Sequence, residues 1–162
     1  MFCGIIYNTM KPNNPIKIIA VNKKAGFNYF LSEFTECGIV LKGTEIKSLR
    51  KNSCNITDSY VVIRSGEAEI LNMHIPIYKE GNIFNHDPMR TRTLLLHKKE
   101  IKYFETKVKQ GGFTIVPTKI YFRKGKAKVE IALAKGKKLY DKREDEKRRD
   151  DKRAMERAMK DR

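Results

Sequence analysis

Residues 126–133 run Lys-Ala-Lys-Val-Glu-Ile-Ala-Leu, so that Ala127, Val129, Ile131 and Leu133 alternate with Lys126, Lys128 and Glu130. A period of two sends successive side chains to opposite faces of a strand, so this stretch has to lie half-buried in a sheet. Its partner is close by in sequence. Phe113 to Phe122 is rich in branched and aromatic residues, and Lys124-Gly125 stands between the two runs as a tight-turn signal. Together they predict an antiparallel hairpin reaching Ala134, with Pro117 at an edge or a bulge because it cannot donate to a strand ladder.

Ser59–Arg64 and Glu67–Leu71 flank Ser65-Gly66 and predict a second hairpin. Ile16–Val21 predicts a first strand, ended by the polar Asn22-Lys23-Lys24. Residues 28–34 and 37–41 predict two more, with Gly26, Gly38 and Gly43 as breaks or bulges. A short helix is predicted from Glu45 to Lys51, where Ile46 and Leu49 stand three apart and Thr44 can cap. Leu94-Leu95-Leu96 leads into a longer helix from about His97 to Gln110. Its inner stripe is Ile101, Phe104 (or Tyr103) and Val108, and Gly111-Gly112 stops it. Residues 74–89, with two prolines and little periodicity, predict a long loop. Short antiparallel strands with about three helices and no strand–helix alternation predict a mostly-β fold. The expected member of that class is a closed antiparallel barrel of the oligonucleotide-binding type.

Residues 135–162 behave differently. They hold 13 Lys/Arg and 8 Asp/Glu, with only Leu139, Tyr140, Met155, Met159 and a few alanines able to bury anything. Such a segment does not recover its ordering entropy alone, so this basic C-terminal tail is expected to be disordered or a marginal helix until something binds it. The expected organisation is therefore a flexible N-terminal extension over 1–15, an RNA-binding domain over 16–134 and the tail over 135–162. Met10 followed by Lys11-Pro12-Asn13 looks like a natural start, so residues 1–9 are expected to have no structural role. The remaining 22 Lys/Arg against 11 Asp/Glu make the body basic too, within a total of +16. A body this basic attracts polyanions, nucleic acid foremost. No long apolar run points to a membrane. Cys3, Cys37 and Cys54 are odd in number and unpaired in spacing, which fits a reducing cytoplasm and neither a disulfide framework nor a zinc site.

No phosphate-cradling loop, dinucleotide fingerprint, nucleophile elbow or metal-ligand cluster is found, so neither an enzyme nor a cofactor is expected. His86-Asp87, the one pair that resembles a base with a carboxylate, consists of neighbours that point apart in an extended loop. Candidate RNA contacts are better supplied. Lys23 and Lys24 precede Phe27, Tyr29 and Phe30, which joins phosphate neutralisation to base stacking. Phe27 and Phe30 are expected in the core, leaving Tyr29 as the stacking candidate. Arg90 and Arg92 can fork onto phosphates.

These residues also fall into a known pattern. Asn22-Lys23-Lys24-Ala25, Gly43-Thr44-Glu45-Ile46-Lys47-Ser48-Leu49-Arg50, Asn55-Ile56-Thr57-Asp58-Ser59-Tyr60, Asp87-Pro88-Met89-Arg90-Thr91-Arg92 and Leu94-Leu95-Leu96-His97 occur in that order. Ala134-Lys135-Gly136-Lys137-Lys138 and Asp141-Lys142-Arg143 follow. The set resembles the SsrA-binding protein (SmpB) family from residue 18 to the end. The resemblance implies a monomeric, cytoplasmic, non-enzymatic protein that binds the tRNA-like domain of transfer-messenger RNA. It would deliver that RNA to stalled ribosomes for trans-translation, which tags the nascent peptide and frees the ribosome. Elongation factor Tu and alanyl-tRNA synthetase would be indirect partners through the shared RNA.

By the same resemblance, Asn22, Lys23, Lys24, Glu36, Leu95 and His97 join Tyr29, Arg90 and Arg92 as RNA-binding residues. Gly136, Lys137, Lys138, Tyr140, Asp141, Lys142 and Arg143 would engage the decoding centre and messenger channel, with the tail helical there. Tyr140 departs from the histidine common at its position, and Thr44 from a common tryptophan. The alternative reading is a generic basic barrel for ribosomal or single-stranded RNA.

Overall fold

The computed structural model describes residues 16–51 and 54–160. The predicted N-terminal extension over 1–15 lies outside them. Seven strands and four α-helices follow in the order β1 (Lys17–Val21), α1 (Lys23–Asn28), β2 (Tyr29–Ile39), α2 (Gly43–Arg50), β3 (Tyr60–Arg64), β4 (Glu67–Leu71), β5 (Arg92–Leu95), α3 (Lys98–Lys109), β6 (Phe113–Arg123), β7 (Lys126–Gly136) and α4 (Leu139–Lys160). A 3-10 turn at Lys79–Phe84 interrupts the predicted long loop. All strand pairings are antiparallel. They run β6–β3–β4–β5–β2–β7 and return to β6 through β7, so the sheet closes on itself with β1 added along β6.

Both predicted hairpins form. Ser65 and Gly66 (φ 50° and 78°) turn β3 into β4, and Lys124 and Gly125 (φ 51° and 74°) turn β6 into β7. Two consecutive positive φ values suit the right-handed strand twist, and the glycine takes the second at no steric cost. Pro117 sits where the β6–β7 register shifts, at a bulge inside a paired strand rather than at an edge.

Several expectations are corrected. The two strands predicted over 28–34 and 37–41 are one 11-residue strand, β2, bent where its register with β7 shifts between Ser32 and Thr35; Glu33 takes φ 51° there. Lys23–Asn28 is helical, capped by the Asn22 side chain, which accepts from the Ala25 amide. Leu94-Leu95 belongs to strand β5 rather than to a lead-in for α3. Helix α2 is capped from Lys42, whose amide donates to Glu45. Thr44 instead hydrogen-bonds His86 Nδ1 at 3.0 Å, and with Nε2 donating to the Ile75 carbonyl the imidazole is a buried clasp. In α3 Ile101 and Phe104 are buried, whereas Tyr103 and Val108 are exposed.

The tail, expected to be disordered or a marginal helix, forms α4. Its side chains are almost all exposed, so burial does not explain it. Asp141 accepts from the Lys138 amide at the first turn, and Glu144–Arg148 and Asp150–Arg153 pair along the helix. Local caps and charge pairs of this kind each contribute about 0.2–1 kcal/mol to a helix.

Inside the closed sheet the core gathers Ile70, Ile115, Ile120, Val129 and Ile131, with Leu49 from α2 and Phe104 from α3 packed onto it. Burying each such side chain contributes about 1.5–3 kcal/mol. Strand β2, which crosses from the base of α4 to β5, carries most of the surface that concerns function.

Candidate nucleic-acid interface

Tyr29 and Glu36 lie on one strand, seven residues and roughly 20 Å apart. The predicted site residues divide between the two ends of β2.

At the Glu36 end, Gly38 of β2 pairs with Leu95 of β5. A side chain at Gly38 would press within 3.2 Å of Leu95 Cβ, so the glycine lets Leu95 lie close over β2. Leu95 is exposed, as are Phe34 two residues before Glu36 and Val40 beyond Gly38. A groove of about 570 Å³ opens beside them, lined by Gly38, Val40, Leu95, Phe122, Lys126 and Lys128. His97 follows two residues after Leu95, exposed at the start of α3, where its amide donates to Glu100. Lys98 and Lys99 follow it, also exposed.

Glu36 is not free on this face. It accepts a hydrogen bond from the Tyr121 hydroxyl, and Arg123 and Lys128 lie at 3.1 and 3.6 Å. The Tyr121 hydrogen bond outweighs the desolvation of the carboxyl and, with the two cations, holds it below its ordinary value of 4.5. The face therefore offers a paired carboxylate, excess positive charge and exposed apolar and aromatic groups. That combination suits unpaired bases on a phosphate backbone. Phe34, Tyr121, Arg123 and Lys128 escaped the sequence reading. The alternation Tyr121-Phe122-Arg123 was the available signal, since it puts Tyr121 and Arg123 on one face of β6.

At the other end lie Lys23, Lys24 and Tyr29. Both lysines are exposed, and a polar groove of about 290 Å³ runs between Lys24, Asn28, Tyr29, Asp58 and Tyr60. Asn22 was expected to touch RNA, but it is buried and consumed. Its amide donates to the carbonyls of Ile56, Thr57 and Pro117, tying α1 to β6. Phe30, expected in the core, is half exposed, with the Lys137 ammonium 5.0 Å above its ring.

Arg90 and Arg92 belong to neither end. Arg92 is fully buried and spends its guanidinium on Glu45 (2.8 Å) and the carbonyls of Met73, Arg90 and Pro88. Arg90 grips the other oxygen of Glu45 at 2.6 Å and also donates to Val40 O. Burial raises the Glu45 carboxyl, but hydrogen bonds from Arg90, the Lys42 amide and Arg92 overcome it and hold the group low. These arginines bolt α2 to the loop before β5; Arg92 is fully buried there, whereas the Arg90 side chain stays about one-quarter exposed.

The tail residues start where β7 ends at Gly136, opposite Tyr29. Lys137, expected to face the ribosome, has a nearly buried side chain whose ammonium donates to Gly26 O at 2.8 Å and Asp145 at 2.6 Å. Lys142 reaches Asn28 at 3.0 Å and, with Arg149, covers Phe27. Lys138, Tyr140 and Arg143 are exposed.

Among the described residues, no three His, Cys, Asp or Glu side chains are placed to hold a metal ion, and no helix is long and apolar enough to cross a membrane. Burial pushes the thiols of Cys37 and Cys54 up to about 12, so neither is a thiolate near neutrality.

The family described as SmpB protein matches residues 19–161. An SsrA-binding protein of Trichodesmium erythraeum is 57% identical over 145 residues, 89% of this chain and 93% of that protein. One from Enterococcus hirae is 56% identical over 149 residues, 92% and 97% of the two chains. A solved chain from work described as "tmRNA-SmpB: a journey to the center of the bacterial ribosome" superposes with a TM-score of 0.63 at 45% identity. It covers 74% of this chain and 85% of that one.

Proposed function

The chain belongs to the SmpB protein family, and from that membership we propose that it binds transfer-messenger RNA and brings it to stalled ribosomes for trans-translation. Its action is binding and delivery, without covalent chemistry. The strand cycle supports reading the body as a closed barrel of the oligonucleotide-binding type.

The observation that carries the reading is the Gly38–Leu95 pairing, which sets Leu95 beside the strand that carries Glu36 and leads directly to His97. These three residues, with Lys126, Lys128 and Arg123 around them, form the face for the tRNA-like domain. Phosphates are drawn to the basic side chains, and bases stack or pack on His97, Leu95 and Phe34. Lys23, Lys24 and Tyr29, at the far end of β2, border the base of the tail and extend the RNA-binding surface toward it.

The tail has a separate task. In the unbound protein the first turns of α4 rest on α1 through Lys137, Asp145 and Lys142. On a ribosome with an empty messenger channel, α4 leaves α1 and enters the phosphate-lined channel, presenting Lys138, Tyr140 and Arg143 with its arginine-rich remainder. A monomer working with ribosome and transfer-messenger RNA belongs in the cytoplasm. It shares that RNA with elongation factor Tu and alanyl-tRNA synthetase.

Sequencing the RNA that co-purifies with the full chain tests the reading. One abundant transfer-messenger species is expected, whereas a mixture of ribosomal and messenger fragments would replace it with a generic RNA-binding role. Deleting residues 135–162 is expected to leave affinity for the RNA within a few-fold while abolishing peptide tagging. Tagging by the truncated protein would end the two-part scheme.

A further inference from the structure

The two oxygens of the Glu36 carboxylate have different surroundings. Oε2 accepts from the Tyr121 hydroxyl and from Arg123 Nη1 at 3.1 Å. Among the described residues, Oε1 has only Arg123 at 3.4 Å and Lys128 at 3.6 Å, the edge of hydrogen-bonding range and beyond it. A carboxylate oxygen can accept two bonds, so Oε2 is filled and Oε1 has capacity to spare, in a side chain one-third exposed. The holding groups also differ in stiffness. The Arg123 and Lys128 side chains are part exposed, whereas the Tyr121 ring is 5% exposed and fixed by its packing in β6.

We propose that Tyr121 is a positioning residue of the RNA interface, whose hydroxyl anchors Glu36 so that Oε1 accepts from the exocyclic amino group of an unpaired nucleobase while Arg123 and Lys128 serve the adjoining phosphate. The proposal rests on the reading that this face binds RNA. An unanchored carboxylate beside a phosphate backbone would repel it. Held by one hydroxyl and two cations, it carries a net positive neighbourhood and still offers a directed acceptor. Adenine, guanine and cytosine carry such an amino group, whereas uracil offers only its ring N3–H.

The titratable groups around the pair favour an ionised Glu36 and a protonated Tyr121, with Arg123 opposing the latter. Tyr121 and Arg123 come from β6 and Lys128 from β7, all favouring the ionised Glu36. Glu130 of β7, itself paired with Lys119, adds to Glu36 in keeping the Tyr121 phenol protonated, after burial. The hydroxyl therefore remains a donor wherever the protein is folded near neutrality.

Tyr121→Phe removes this donor and keeps the ring. In the full chain, with a transfer-messenger RNA fragment carrying the tRNA-like domain, it is expected to weaken binding about tenfold, the scale of one hydrogen bond to a charged group. As pH is lowered, affinity should start to fall at a higher pH than in the wild type. In a Glu36→Gln background the same substitution should add almost nothing. Carbon-13 NMR of the wild type should find Glu36 titrating below 4.5, moving upward in Tyr121→Phe. Equal binding by the variant, equal losses in both backgrounds, or a wild-type Glu36 titrating at or above 4.5 would overturn the proposal while the RNA-binding reading stands. Failure of the wild type itself to retain the RNA would overturn that reading and, with it, this one.

Discussion

Glu45 and Glu36 are each held by two cationic side chains, yet they occupy opposite environments. Glu45 is fully buried between Arg92, also fully buried, and Arg90, while Glu36 sits one-third exposed among Tyr121, Arg123 and Lys128. In the first network four of the five donors of each arginine meet fixed protein acceptors, so the charges position α2 against β5 and leave little for a partner. In the second, one carboxylate oxygen and two part-exposed cations keep spare capacity. Burial, not the chemical type of the pair, separates a structural clamp from a recognition surface. Breaking a buried pair strands a charge in low dielectric, whereas an exposed pair is replaced by water at little cost.

The largest effect should come from Glu45→Ala. It leaves Arg92 buried without its counter-charge and removes the cap on α2, so a loss of about 3–5 kcal/mol is expected in denaturant unfolding. A loss as small as that of a surface pair would remove the distinction between the two networks.

Acid should separate the networks next. Glu45 is held below its ordinary 4.5 in the folded protein, so the unfolded chain takes up the proton first. Its contribution is complete above that value and disappears as pH falls through the depressed folded value. Unfolding free energy measured against pH should therefore turn downward below about 4.5 in the wild type. The slope should be shallower in Glu45→Gln and, because Glu36 is also held below 4.5 but in a part-exposed site, shallower to a smaller degree in Glu36→Gln.

The same contrast explains what was legible in the chain. The hairpins at Ser65-Gly66 and Lys124-Gly125 could be read because alternation and turn chemistry are local. Strand β5 could not: its inward positions are Arg92 and Leu94, and a buried arginine in an apolar slot breaks the pattern that announces a strand. Glu45 breaks the pattern of α2 in the same way, buried on a turn where polarity suggests solvent. Arg90 and Arg92 thus looked like phosphate ligands because their partner lies more than forty residues away. Among the proposed site residues, Glu36, Leu95 and His97 were named through family resemblance. Tyr121 and Arg123 were not, because only the fold carries β6 to within reach of β2. Composition left the tail open between disorder and a marginal helix, because caps and charge pairs support α4 only locally.

Arg90 lies between the two extremes, its side chain about one-quarter exposed. Arg90→Lys keeps the charge but loses the fork onto both Glu45 oxygens and the bond to Val40 O. A cost of about 1.5 kcal/mol in unfolding is expected, with RNA affinity unchanged. Weaker RNA binding at unchanged stability would instead return Arg90 to the interface.

Glu36→Gln should show the smallest effect on the fold. Water can serve Arg123 and Lys128 once the charge is gone, so the loss of stability should stay below about 1 kcal/mol. An amide also keeps an oxygen for Tyr121. For RNA the outcome should be different, because an amide is a weaker acceptor and brings two donors to a site built from donors. Affinity should fall by about tenfold, the scale of one charge-assisted hydrogen bond. A gel-shift titration beside a thermal melt measures both quantities on one sample. Glu45→Gln is expected to give the converse result, a lowered melt with RNA affinity retained by the molecules that remain folded. If the two glutamines instead shift the melt equally, the exposed network is bearing structural load, and its spare acceptor is not what recognises RNA.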